Sequence, residues 1–205
     1  MAAQKKHLVA SERDEAARAA WRAAAAALAP TDLVFLDETS THIALTRLRA
    51  RAPRGQRAAG QAPRNRGRTL TLVAALTPEG IGPSVVVEGA ADAAVVAASV
   101  ERFLAPRLRP GQVVVLDNLS AHTGARARAL VEAAGRGLRF LPPSSPDFNP
   151  IGLAFSQLTV DLRRAGARAY EPLVAAIGQG LAAVTPAHAR AYFTHCGFPL
   201  RDRLL

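Results

Sequence analysis

Cysteine is almost missing from this chain. Cys196 stands alone among 205 residues, so no internal disulfide can form, and neither paired cysteines nor spaced histidines point to zinc. It reads as a small packed thiol. Long hydrophobic runs are also missing: none approaches the roughly 20 residues that cross a bilayer. Met1-Ala2-Ala3-Gln4-Lys5-Lys6 has no apolar signal core behind it. A membrane partner is therefore not expected, and the expected location is the cytoplasm. Negative charge is in short supply, with 16 Asp and Glu against 26 Lys and Arg, a formal charge of +10. Such an excess is the footprint of a protein that meets phosphate backbones, which makes DNA the expected partner. Lysine too is rare: 24 of the 26 basic residues are arginine, and codon bias in an alanine-rich chain is the competing source of the excess. The length and the 49% hydrophobic content suit one globular domain, with no internal repeat or long linker.

What is present is a pair of apolar runs ending in acid. Leu33-Val34-Phe35-Leu36 leads into Asp37-Glu38, and Val113-Val114-Val115-Leu116 leads into Asp117-Asn118. Continuous rather than alternating hydrophobicity marks strands covered on both faces by helices. Side by side, the two strands would bring Asp37 and Asp117 together, and paired carboxylates suit a hard cation. Alternation turns Glu38 to the opposite face, in a supporting rather than a ligating role. Asn118 either orients Asp117 or terminates its strand. His122 either packs at a helix start or, as it resembles the histidine that a known family carries after Asp-Asn, contacts DNA or the active site.

Residues 11–29 read as an alanine-rich helix capped by Ser11 and anchored by Trp21, and Pro30 breaks it. Strands are expected at 33–37, 42–49 and 69–76, with Val85-Val86-Val87 extending the last beyond a Pro78-Glu79-Gly80 turn, in an antiparallel meander. Residues 51–68 form a flexible basic loop, in which Arg51, Arg54, Arg57, Arg64, Arg66 and Arg68 lie among glycines and prolines. The loop reads as a phosphate-tracking arm extended by Arg47 and Arg49, with a solvated hairpin as the alternative. Helices are expected at 91–108, 123–134, 152–164, 171–184 and 186–194, and a strand at 138–141.

A third stretch makes the acid pair specific. Phe140-Leu141-Pro142-Pro143-Ser144-Ser145-Pro146-Asp147-Phe148-Asn149-Pro150-Ile151 follows a short strand and opens a helix. Strand-Asp-Glu, strand-Asp-Asn and this turn, in order, resemble the DDE catalytic domain of bacterial insertion-sequence transposases of the mariner superfamily. Thr46-Arg47, Arg51-Ala52-Pro53-Arg54-Gly55 and Arg109-Pro110-Gly111 support the resemblance, which covers nearly the whole chain.

The resemblance implies a ribonuclease H-like α/β fold, a mixed five-stranded sheet flanked by helices. Residues 31–205 would form the catalytic domain and residues 1–30 a helical lead-in. It also implies metal-dependent cleavage and transfer of transposon-end DNA with two Mg²⁺ or Mn²⁺ ions, Asp37 bridging both and Asp117 holding one. The family's third acid follows Asn-Pro-Ile, and here that position, 35 residues after Asp117, is Gly152. Asp147 reads as a turn-capping residue rather than a ligand. Asp161, nine residues past Gly152, is about half a turn away on the opposite helix face. Neither replaces the missing acid, so impaired catalysis is expected. Related transposases carry helix-turn-helix modules upstream, so a separately encoded module is an expected partner, and a homodimer is compatible with the resemblance. The alternatives are a non-catalytic DNA-binding or assembly protein, and a remnant of a truncated element.

Overall fold

The computed structural model describes residues 10–117 and 124–200. Five strands form one sheet: β1 (Leu33–Thr41), β2 (Leu70–Thr77), β3 (Gly80–Glu88), β4 (Val113–Leu116) and β5 (Gly137–Phe140). Their spatial order is β3-β2-β1-β4-β5. β1, β2 and β3 are antiparallel in sequence, whereas β4 runs parallel to β1 and β5 parallel to β4. The expected mixed five-stranded sheet is therefore present, and its strand order is that of the ribonuclease H-like fold.

Both faces are covered, which is why the central strands carry no polar alternation. On one face Leu33, Phe35 and Val115 pack against α4 (Pro150–Ala165) through Ile151, Ala154, Phe155 and Leu158. The same core takes Trp21 from α1 (Glu15–Ala26), Leu173 and Ile177 from α5 (Tyr170–Ala182) and Phe193 from α6 (Pro186–His195). Trp21 is the anchor expected of it. Gly180 lets α5 approach α4 closely, since a Cβ there would lie 2.4 Å from Leu158 Cδ1. On the other face Val34, Leu36, Val114 and Leu116 meet Val100, Leu104, Leu108 and Val131. These come from α2 (Ala93–Ser99) with its extension, and from α3 (Gly124–Ala133).

Several elements differ from the sequence expectation. The cap of α1 is Asp14, whose side chain accepts from the Ala17 N–H, not Ser11. The 91–108 helix divides into α2, a π-helical turn (Val100–Leu104) and a 3-10 turn (Ala105–Arg107). Pro106 explains the break, because it lacks an N–H and its ring would collide with a helical carbonyl one turn back. Residues 42–49 form no strand. Arg168 donates to the carbonyls of Ile43 and Leu45, each at 2.8 Å, and so occupies acceptors that a ladder would have used. The third meander strand is β3 instead. Among the described residues no helix is long and apolar enough to cross a membrane.

Candidate active site

Register brings the two acids together. Leu33, Val34 and Phe35 pair in parallel with Val113, Val114 and Val115. Asp37 and Asp117 each lie two residues beyond the Phe35–Val115 pair, on the face that carries α4. β1 does not end at Asp37, as the sequence suggested: it continues to Thr41, and Asp37 pairs with Ala74 of β2. β4 does stop just before Asp117. Both aspartates line a cleft of ≈ 500 Å³ with Leu141 to Pro146, Asn149 and Gly152. A larger cleft of ≈ 960 Å³ beside α1 has Glu79 as its one lining carboxylate and does not suit a cation.

The turn over the acids is tightly built. Ser145 Oγ donates to Pro143 O at 3.0 Å, and the Phe148 and Asn149 N–H groups return to Ser145 O and Pro146 O, each at 3.1 Å. Ser144 holds a left-handed φ of 51°. Asn149 opens α4 without capping it by its side chain. Its Nδ2 instead donates to Asp37 Oδ2 at 2.8 Å, while the Glu38 N–H donates to Asp37 Oδ1 at 2.7 Å. Sequence reasoning gave Asn149 no role of its own; its signal lay in the Asn-Pro that starts the helix.

Burial pushes the Asp37 carboxyl up to about 6, and the Asp117 charge adds to this, while the Glu38 N–H and Asn149 hydrogen bonds pull it down. Glu38 is pushed up to about 7 by burial first and then by the charges of Asp37 and Asp117. It belongs to the opposite face, as alternation requires, yet the charges of both aspartates reach it. A buried Asp37 carboxyl that resists ionisation, beside the charge of Asp117, is a donor set a hard cation would relieve. Among the described residues no group of three or more His, Cys, Asp or Glu is placed to hold a metal. Gly152 is exposed within the cleft, and a Cβ built there meets nothing within 4 Å. The cleft thus offers the carboxylates of Asp37 and Asp117 with open space at Gly152 beside them.

A pH dependence follows. The fold raises both carboxyls above their ordinary values, so the folded chain binds more protons than the unfolded chain between about pH 4 and 7. Their contribution to metal-free stability is fully present below the ordinary carboxylate range and is lost as pH rises through about 6 and 7. With the Glu38 share discounted for solvent screening, because that group is only half-buried, the natural chain in EDTA should lose about 2 kcal/mol of this contribution between pH 5 and 8. Asp37→Asn should flatten that slope in denaturant melts. A slope unchanged by the substitution would contradict the burial of Asp37.

The remaining candidates separate from the acids. Asn118 and His122 lie outside the described residues. Arg47, Arg51, Arg54, Arg64, Arg66 and Arg68 are exposed, and none lines the acid cleft. Arg68 is paired with Glu88 at 2.9 Å. The positive charge of Arg66 helps to lower the pKa of His42, after burial. Arg47 and Arg49 share a groove with Arg163 and Arg164 of α4, beside Leu48, which is 76% exposed. Asp147 does not act as a turn cap by its side chain: Arg18 donates to both of its oxygens, at 2.9 and 2.6 Å. Asp161 pairs with Arg164 at 3.2 Å.

A sequence profile of the DDE superfamily endonucleases matches residues 32–173, well over half of the chain. The chain belongs to this family. Among solved structures, this DDE domain is similar to the Mos1 mariner paired-end complex with Mn, with 18% identity and a TM-score of 0.67, over 97% of this chain and 63% of that one. The Mos1 transposase paired-end complex with left transposon end gives 17% identity and a TM-score of 0.68, over 96% and 63%. The Mos1 transposase catalytic domain with raltegravir and Mg gives 14% identity and a TM-score of 0.62, over 94% and 92%. At these identities the likeness is one of fold. The DDE chain spans about 63% of the length of the Mos1 chains in those complexes. No curated protein matches it.

Proposed function

We propose that this chain is the catalytic domain of a DNA transposase, residues 31–205 with residues 1–30 as a lead-in, whose metal site has lost one of its three acids. The observation that carries this is the cleft that Asp37, Asp117 and the helix-start Gly152 line together, and the resemblance implies the family's acids at these three positions. Asp37 and Asp117 would hold Mg²⁺ or Mn²⁺. Bound there, the metal would activate the attacking oxygen and stabilise the leaving one in phosphodiester displacement. Asn149 orients Asp37, and the turn over the cleft limits water. Glu38, Asn118 and His122 would support the site from beside it.

The substrate is double-stranded DNA, both transposon end and target. A separately encoded helix-turn-helix module is a proposed partner for end recognition, and a homodimer is compatible with synapsis of two ends. The cytoplasm is the proposed location. A second reading, a non-catalytic DNA-binding or assembly protein, is favoured by one observation: the exposed arginines stand away from the depleted acid cleft.

Both readings require DNA binding. The chain is expected to bind duplex DNA weakly, with little sequence preference and a steep salt dependence. Neutralising Arg64, Arg66 and Arg68 together should lower the slope of log K against log salt by about 2 rather than 3, because Arg68 is already paired with Glu88. Fluorescence anisotropy checks this. No binding at low salt, or an unchanged slope, would remove the loop from the interface. Mn²⁺ titration separates the metal site: binding lost in Asp37→Asn and Asp117→Asn supports it, and binding unaffected by either sinks it.

A further inference from the structure

We propose that Arg18, on the helix upstream of the acid-bearing strands, is a positioning residue for the candidate metal site: through Asp147 it holds the 146–149 turn and so sets the Asn149 amide against Asp37. The proposal rests on the reading of Asp37 as a metal ligand. Arg18 is 0% exposed, in a helix whose other arginine, Arg22, reaches solvent. Its Nη1 and Nη2 form a two-pronged pair with Oδ1 and Oδ2 of Asp147 at 2.9 and 2.6 Å. Its guanidinium carbon lies 4.2 Å from the centre of the Phe148 ring, and that of Arg22 lies 4.9 Å from it. Glu15 Oε2 is 3.4 Å from the Arg18 Nε. Two consecutive residues of the turn are thus gripped from α1. The next residue, Asn149, donates to Asp37.

A guanidinium is a costly way merely to fill this space, since an apolar side chain of similar volume is often as stabilising at a buried site. What the planar fork adds is orientation, because two parallel hydrogen bonds fix the direction of the Asp147 carboxylate. That need is visible in the turn: it contains a non-glycine residue at positive φ, Ser144, and the bonds within it, from the backbone and from Ser145 Oγ, are short-range. Asn149 occupies an N-cap position, where an asparagine side chain ordinarily bonds the helix it starts. Released from the Arg18 grip, the turn can relax and the Asn149 amide is free to leave Asp37 for the helix end. α1 lies outside the matched residues 32–173, so the grip reaches the site from beyond the family's shared segment.

The test uses the full chain and the Asn149 side-chain amide as its reporter. The sequence holds only three asparagines, 65, 118 and 149, so the ¹⁵N amide pair of Asn149 is assigned by its loss in Asn149→Ser. Arg18→Met removes the charge and leaves Asp147, which is 49% exposed, to water. Arg18→Lys keeps the charge without the fork. Ala25→Gly loosens the same helix at another buried residue, seven positions beyond Arg18, and serves as the stability control. Arg18→Met should move the Asn149 amide towards a solvated position, Arg18→Lys should fall between, and Ala25→Gly should leave it in place. Mn²⁺ affinity, measured in the Gly152→Glu background, should weaken about tenfold in Arg18→Met, as for other residues that orient a metal ligand. An Asn149 amide unmoved by Arg18→Met, or moved equally by Ala25→Gly, overturns the proposal. Mn²⁺ affinity unchanged by Arg18→Met in a chain that binds the ion also overturns it. A failure of Mn²⁺ to bind any of these chains refutes the metal reading instead, and the amide shift then still decides whether Arg18 sets Asn149.

Discussion

Gly152→Glu is expected to raise 3′-end cleavage by on the order of 10²–10³-fold over the natural chain, when both are supplied with a matching recognition module, a transposon end and Mg²⁺ or Mn²⁺. On the proposed reading, Asp37 and Asp117 alone would leave the site one ligand and one negative charge short, and a metal that contributes several kcal/mol to the transition state would lose much of that when under-ligated. The space for the new side chain exists, because a Cβ at Gly152 meets nothing within 4 Å and the position is exposed in the acid cleft. Stability should change little. Glutamate is a better helix former than glycine by up to about 1 kcal/mol and suits the first turn of α4, while repulsion from Asp37 and Asp117 offsets this until a cation binds. Robust Asp117-dependent cleavage by the natural chain would overturn the loss of activity. Asp147 would be a poor rescuer in that case, since both of its oxygens are held by Arg18. If both chains fail on a substrate that an intact relative cuts, the loss extends beyond residue 152.

Phe35→Ala should lower stability by about 3–5 kcal/mol, the usual cost of emptying a buried phenylalanine site. For a chain of this length that corresponds to a fall in melting temperature of about 10 °C. Phe35 is 0% exposed, and its ring meets Phe193 at 5.4 Å, nearly edge-on, and Phe198 at 5.2 Å. These three rings tie β1 to α6 and to the segment after it, two residues from Asp37 and on its face of the sheet. Differential scanning calorimetry checks the size of the loss. A cost under about 1 kcal/mol would mean that the C-terminal segment does not close over β1 and that the site collapses around the deletion. The salt slope of DNA binding should be unaffected, because the arginine loop shares none of these contacts.

Local pattern carried much of this structure. Unbroken apolar runs before Asp37 and Asp117 mark buried strands, the Pro-rich turn before Asn149 marks a helix start, and Gly152 stands where the family's spacing asks for an acid. The first two are properties of a few adjacent residues, which the backbone obeys wherever the segment is placed, whereas the reading of Gly152 rests on the resemblance. Only the tertiary structure decided the rest. Glu38-Thr39-Ser40-Thr41 reads as the end of a strand because it is polar, yet β1 continues through it, since Leu70 to Val73 of β2 supply the ladder. Residues 42–49 read as a strand, yet Arg168 takes the carbonyls of Ile43 and Leu45. Arg18 looks like one more solvated arginine on an alanine-rich helix until Asp147, 129 residues later, comes to meet it. In each case the deciding partner is distant in sequence. A hydrogen bond to such a partner forms only once the chain has closed the intervening loop, and no short-range pattern of hydrophobicity or charge records which partner arrives.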